Sequence, residues 1–164
     1  MKPRVVIILL AIPPILVLAY FLYPQAPTSP ATERRALGFI REIRTQNGNL
    51  VLMFDDALWL TGREAEDAAI EAGHCSTETR GECTPNDYFI ENKNTQTIAL
   101  ELPQATLIFM ETYETGEPGD KKENITTNKL VDLINDPSLH WNKLPYWITT
   151  RGTRITTIEE QYIP

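Results

Sequence analysis

Nineteen consecutive uncharged residues, Val5 to Tyr23, read VVIILLAIPPILVLAYFLY, and a segment this apolar on every face is poorly suited to a water-facing helix. As a helix it would rise about 28 Å, close to the hydrocarbon thickness of a bilayer. Pro13 and Pro14 each remove an amide donor at its centre, which predicts a kink but not a failure to insert. Tyr20 and Tyr23 suit the far interface. The pattern predicts one transmembrane anchor within residues 1–24, with the membrane as partner of residues 5–23. A cleaved signal peptide shares the basic start and apolar middle, but Pro24 occupies a position where a small residue should precede a cut after Ala26, and Pro27 would follow that cut. Lys2 and Arg4 lie before the run with no acidic residue among them. The positive-inside rule therefore predicts a cytoplasmic N terminus and an extracytoplasmic C-terminal domain.

Residues 25–36 carry Pro27 and Pro30 among small and polar residues, a composition that stays extended and solvated and reads as a stalk. Residues 37–164 fall within the size of one domain. Apolar residues such as Phe39, Ile43, Leu52, Phe54, Ile108 and Ile158 are spread along that length and supply a core. The whole chain has 15 basic and 22 acidic residues for a formal charge of -7. Beyond Lys2 and Arg4 the balance is 13 against 22, or -9. An acidic domain without a clustered Lys/Arg face repels phosphate backbones, so no nucleic-acid partner is expected.

Two strand-like segments, Leu37 to Thr45 and Asn49 to Asp55, flank an Asn47-Gly48 pair suited to a tight hairpin. Thr61 and Glu64 have capping-box spacing, Ala65, Ala68, Ala69 and Ala72 form a smooth face, and Gly73 suits a left-handed stop, which predicts a helix over 62–72. Strands follow near Tyr88 to Glu91, Thr97 to Leu102 and Thr106 to Tyr113. A polar loop over 114–123 leads to a short helix capped by Thr127 that buries Leu130, Leu133 and Ile134. A second hairpin turns at Arg151-Gly152. The order ββαβββαββ predicts an α+β fold: a mainly antiparallel, strongly curled sheet or small barrel with two covering helices, preceded by one transmembrane helix.

Cys75 and Cys83 are the only cysteines, seven polar-loop residues apart, and an extracytoplasmic location predicts a disulfide between them. A metal site from His74, Cys75, Cys83 and Asp87 is the sharper alternative, but its spacing lacks the paired ligands of structural zinc. Asp55 and Asp56, with Glu64 nearby, are candidates for acid-base work or calcium ligation, but neither role has supporting spacing, and Asp55 and Asp56 ending the strand with Glu64 solvated is the favoured reading. Ser29, Ser76 and Ser138 lie outside any nucleophile-elbow context, and only His74 and His140 offer a base. Trp59, Trp141, Trp147, Tyr146 and Tyr162 suit either core positions or a ligand groove. Asn124-Ile125-Thr126 matches a glycosylation sequon, which bears on a eukaryotic secretory protein alone.

The segments Pro85 to Asn92, Pro145 to Ile148 and Ile158 to Pro164 resemble those of a family of small exported or membrane-anchored bacterial proteins of unassigned function. The resemblance runs from about Gly38 to the C terminus and implies a shared fold and location without implying any catalytic or binding residue. The expectation is a single-pass envelope protein whose domain binds another envelope protein or a small ligand, without catalytic residues, metal or cofactor. The competing expectation is a hydrolase-like envelope enzyme using Asp55, Asp56 or His140 in a sheet-edge cleft, which requires those groups to converge.

Overall fold

The computed structural model describes residues 32–114, 116, 118 and 122–164. The chain divides into two units, Met1–Pro30 and Ala31–Pro164, and the described residues belong to the second. The expected membrane helix over 5–23 lies outside the described residues. Among the described residues no helix is long and apolar enough to cross a membrane.

The fold is α+β, with eight strands in a curled, mainly antiparallel sheet. Strand β1 (Glu33–Gln46) turns into β2 (Asn49–Thr61) through Asn47 and Gly48, at φ 52° and 80°. That pair of positive angles is what a two-residue hairpin needs to match the twist of its strands. Helix α1 (Gly62–Glu71), β3 (Tyr88–Glu91), β4 (Ile98–Glu101), β5 (Leu107–Met110), β6 (Glu123–Asn124), α2 (Thr127–Asn135), β7 (Pro145–Arg151) and β8 (Arg154–Glu160) follow. The expected order is met with one addition, the two-residue β6 inside the polar loop. β1 also starts at Glu33, within the expected stalk, because Glu33 to Phe39 pair with Arg151 to Pro145 of β7.

β1 is shared between two partners. Its first half pairs with β7 and its second half, Leu37 to Gln46, with β2. A bulge between Ile40 and Glu42 bends it, as an extra residue in one strand does. β2 in turn pairs with β4 over Val51 to Phe54 and with β3 over Leu58 to Thr61. β4 touches β8 at one parallel pair, Glu101 with Arg154, supported by Glu101 N donating to Thr153 O at 2.9 Å. Pairing therefore runs β2-β1-β7-β8-β4 and back to β2. β5 also runs parallel to β8. These two parallel contacts join strands far apart in sequence, which local patterns do not report.

Ile40, Leu52, Phe54, Leu100, Ile148, Ile155 and Ile158 point into the curl and form one buried cluster with Leu130, Leu133 and Ile134 of α2. Each such side chain contributes about 1.5–3 kcal/mol relative to exposure, and a one-residue slip would turn the whole set outward, so burial fixes the register. Two contacts dock α2. At its start Thr127 Oγ1 reaches the Pro103 and Gln104 carbonyls, both at 3.2 Å. At its end the Asn135 amide accepts from Ile43 N at 3.1 Å and donates to Ile43 O at 2.7 Å. The capping residue is Thr126, whose hydroxyl accepts from Lys129 N, one position before the expected Thr127. α1 packs by Ala65, Ala68 and Ala69, and Leu37 is buried likewise outside the main cluster. The expected Thr61–Glu64 box is absent, since Thr61 makes no side-chain cap bond; a capping box forms instead at Ser76 and Thr79, opening a 3-10 turn.

Candidate functional site

The seam between β4 and β8 is held at Glu101 alone, so beyond it β4 diverges from the β7–β8 turn. Ala36, Ala99 and Gly152 are small, and the space they leave is a cavity of about 670 Å³ at the end of the curl where β1 begins. Phe54, Leu100 and Ile148 line it as buried residues, and Ile98, 41% exposed, forms an outer wall. Thr150 is the one polar lining residue that is buried, at 8% exposure. The volume and the mainly apolar lining are those of a small-molecule site, which commonly spans about 300–1,000 Å³.

Glu33 and Arg34 are the charged residues that line this mouth. Arg34 pairs with Asp56 at 3.2 Å and Glu33 with Arg151 at 3.6 Å, while Arg154 pairs with Glu101 at 2.7 Å and both border a separate hollow beside Gly48 and Gln104. All six side chains are exposed, so each pair contributes at most about 1 kcal/mol and exchanges partners readily. Close by, Arg35 bonds Glu159 at 2.8 Å and covers the Trp147 ring at 4.6 Å.

The most constrained polar group lies elsewhere. Asp55, 1% exposed, accepts from Arg41 Nε and Nη2 at 2.9 and 2.6 Å and from Asn92 Nδ2 at 3.0 Å, all at Oδ2. Arg41 sits in the bulge, and Gln or Ala there would leave the carboxylate without its cation. Asp55 Oδ1 and Asn92 Oδ1 are buried and accept no hydrogen bond from the described residues. This arrangement is an ion pair that ties β1 to β2 and to the segment after β3.

The other residues singled out in the sequence scatter. Asp56 belongs to the rim pair with Arg34. His74 meets the Phe89 ring edge-on, with centroids 5.3 Å apart. Asp87 holds a turn at φ 58° and His140 opens the Trp141–Lys143 3-10 turn at φ 61°. No hydrogen bond or ion pair among the described residues joins Asp55, Asp56, His74, Asp87 and His140 to one another. Glu64 lies in the first turn of α1. The Cys75 and Cys83 sulfurs are joined as a disulfide with Cα atoms 5.4 Å apart, which removes both thiolates from the His74/Asp87 metal alternative. No group of three or more His, Cys, Asp or Glu among the described residues is placed to hold a metal. Trp59 stacks on Tyr88 at 4.3 Å, Trp141 leans on Tyr113 at 6.2 Å and Trp147 bonds Gln161, so the tryptophans line no common groove.

Two features escaped sequence reading. The mouth cavity arises from closure of the sheet, and its lining residues are far apart in the chain. Glu160, 2% exposed, accepts from Glu111 N, Thr112 N and Thr112 Oγ1 at 2.6, 3.0 and 2.5 Å, clamping the end of β5. Its charge and the burial around Tyr146 together raise the Tyr146 phenol above its ordinary range, burial being the larger cause. The Tyr146 hydroxyl donates to the Trp141 carbonyl at 3.0 Å.

No protein-family model matches this chain, and neither a curated protein nor a solved structure does.

Proposed function

We propose that this chain is a single-pass envelope protein whose extracytoplasmic domain is a binding module for a small apolar ligand held at the mouth of its barrel. The observation that carries the reading is the apolar cavity between β4 and the β7–β8 turn, with its one buried hydroxyl, Thr150. The strand ring β1-β2-β4-β8-β7, with β4 and β8 parallel and α2 placed before β7, corresponds to the five-stranded Greek-key barrel of the OB type. Acidic charge separates it from the oligonucleotide-binding use of that barrel. The apolar Val5–Tyr23 run supports the anchor.

The hydrolase alternative gains no support from this arrangement, since Asp55 is committed to Arg41 and Asn92 while His140 opens a turn elsewhere. Titrating the membrane-reconstituted full chain with a short-chain dansyl fatty acid tests the binding reading. Saturable, blue-shifted emission that Ala36→Phe removes is expected. An unsaturable signal, or one equal in the variant, would sink it. Resistance of the chain to alkaline extraction from membranes tests the anchor.

A further inference from the structure

The cavity opens at the end of the domain where β1 begins, and Glu33 and Arg34 are both on its rim. Eight residues, 24–31, separate the end of the apolar run from Thr32. Fully extended they reach at most about 26–29 Å, and Pro-rich chain reaches about 25 Å. If Val5–Tyr23 is the anchor, its tether keeps the mouth within that distance of the bilayer surface at all times.

The rim has a second property. Residues 32–164 hold eight arginines in a strongly acidic domain, and two of them meet at this opening: Arg34 lines it, and Arg151 is ion-paired to Glu33 of its lining. Their carboxylate partners are exposed, so a phosphate can replace them at little loss, and Arg–phosphate contacts are among the stronger charge-assisted hydrogen bonds. An apolar cavity under an arginine rim has the amphipathic character of a lipid: chain inside, anionic headgroup outside. A polar metabolite would leave Phe54, Ile98 and Ile148 unmatched.

We infer that the mouth takes one acyl chain of a phospholipid from the bilayer that carries the anchor, with Arg34 and Arg151 meeting the headgroup phosphate. This rests on the proposed binding site and on the proposed anchor. The chain enters between Ile98 and the β7–β8 turn, where the seam is open, and ends against Phe54 and Ile148.

The full chain, reconstituted in vesicles of phosphatidylethanolamine and phosphatidylglycerol, would be irradiated with a phosphatidylglycerol bearing a diazirine near the end of one acyl chain. Adducts would be mapped by peptide mass spectrometry. Adducts at residues 98–100 and 148–150 are expected, in addition to those on residues 5–23. Placing a carboxylate on the wall by Ile98→Glu, at an exposed position that folding tolerates, should lower the first set about tenfold while leaving the second unchanged; Ala36→Phe, which fills the cavity, should do the same. A parallel arm uses a short, water-soluble diazirine fatty acid. If it labels the mouth while the phospholipid labels residues 5–23 alone, the lipid inference fails and the binding module stands. If neither probe labels the mouth, both fail. Absence of phospholipid adducts on residues 5–23 removes the anchor and the inference with it.

Discussion

Arg41 Nη2 stands 2.6 Å from Asp55 Oδ2, and the two residues differ sharply in exposure, at 42% and 1% for their side chains. The carboxylate is enclosed and depends on a cation at the edge of solvent. Asn92 supplies one further donor, and Oδ1 receives none from the described residues. Arg41→Leu therefore strands a buried charge, and urea unfolding should show a loss of about 3 kcal/mol. The double variant Arg41→Leu/Asp55→Leu should lose less than Arg41→Leu alone, because it removes the charge as well as its partner. A double variant no more stable than the single one would show that the pair is not a buried-charge problem.

Gly38 marks the place where β1 passes from β2 to β7, facing Asp56 on one side and Tyr146 on the other. A Cβ there would press on the Asp55 carbonyl oxygen and lie 2.6 Å from the Phe54 ring and 2.8 Å from Asp56 Cα. The ring can turn, but Asp55 and Asp56 are held against β1 by the ladder, between the β4 pairing that ends at Phe54 and the β3 pairing that begins at Leu58. Gly38→Ala should destabilise by about 3 kcal/mol or prevent folding, read by denaturant midpoint. Near wild-type stability would mean that β1 and β2 separate more freely than their ladder implies.

What could be read in the sequence was local. Asn47-Gly48 dictated its own turn, and Ala65, Ala68 and Ala69 share a face at helical spacing, as do Leu130, Leu133 and Ile134. Their signals lie within one turn or one hairpin. Asp55 binds Arg41 at 14 residues' separation and Asn92 at 37, and Glu160 binds Thr112 at 48. Nothing in an isolated strand distinguishes those carboxylates from solvated ones. The mouth is further out of reach, because it depends on one parallel pair between β4 and β8 and on the small residues left facing the gap. Its arginines read as an ordinary scatter of charge until closure gathers them.

The loop between α1 and β3 is exposed apart from a few half-buried side chains, and its 3-10 turn buries none. The Cys75–Cys83 link, eight residues apart, takes the place of packing. On the chain-entropy model a loop this short contributes about 2.5 kcal/mol. The double variant Cys75→Ser/Cys83→Ser should lose up to that amount in denaturant unfolding while keeping the sheet's spectrum. Alkylation of the oxidised protein without reductant should leave both cysteines unlabelled. Two labelled thiols would show that the pair is open in the isolated protein.

Tyr146 gives the fold an alkaline limit. It is fully enclosed, it faces Glu160 across the β7–β8 ladder, and both burial and that charge disfavour the phenolate. An unfolded tyrosine titrates at about 10, and the folded one holds its proton to higher pH. Below the unfolded value both states are protonated and the group adds no slope. Above it the unfolded chain releases the proton while the folded chain retains it, so stability falls as pH rises, by up to about 1.4 kcal/mol per unit from this one group. Tyr146→Phe removes the hydrogen bond to the Trp141 carbonyl, which Leu144 N still satisfies at 3.2 Å. The variant should therefore lose about 1 kcal/mol near neutral pH. In urea titrations above about pH 10 it should then decline less steeply than the wild type, so the two stability curves converge. Parallel curves through that range would place the alkaline limit on some other group.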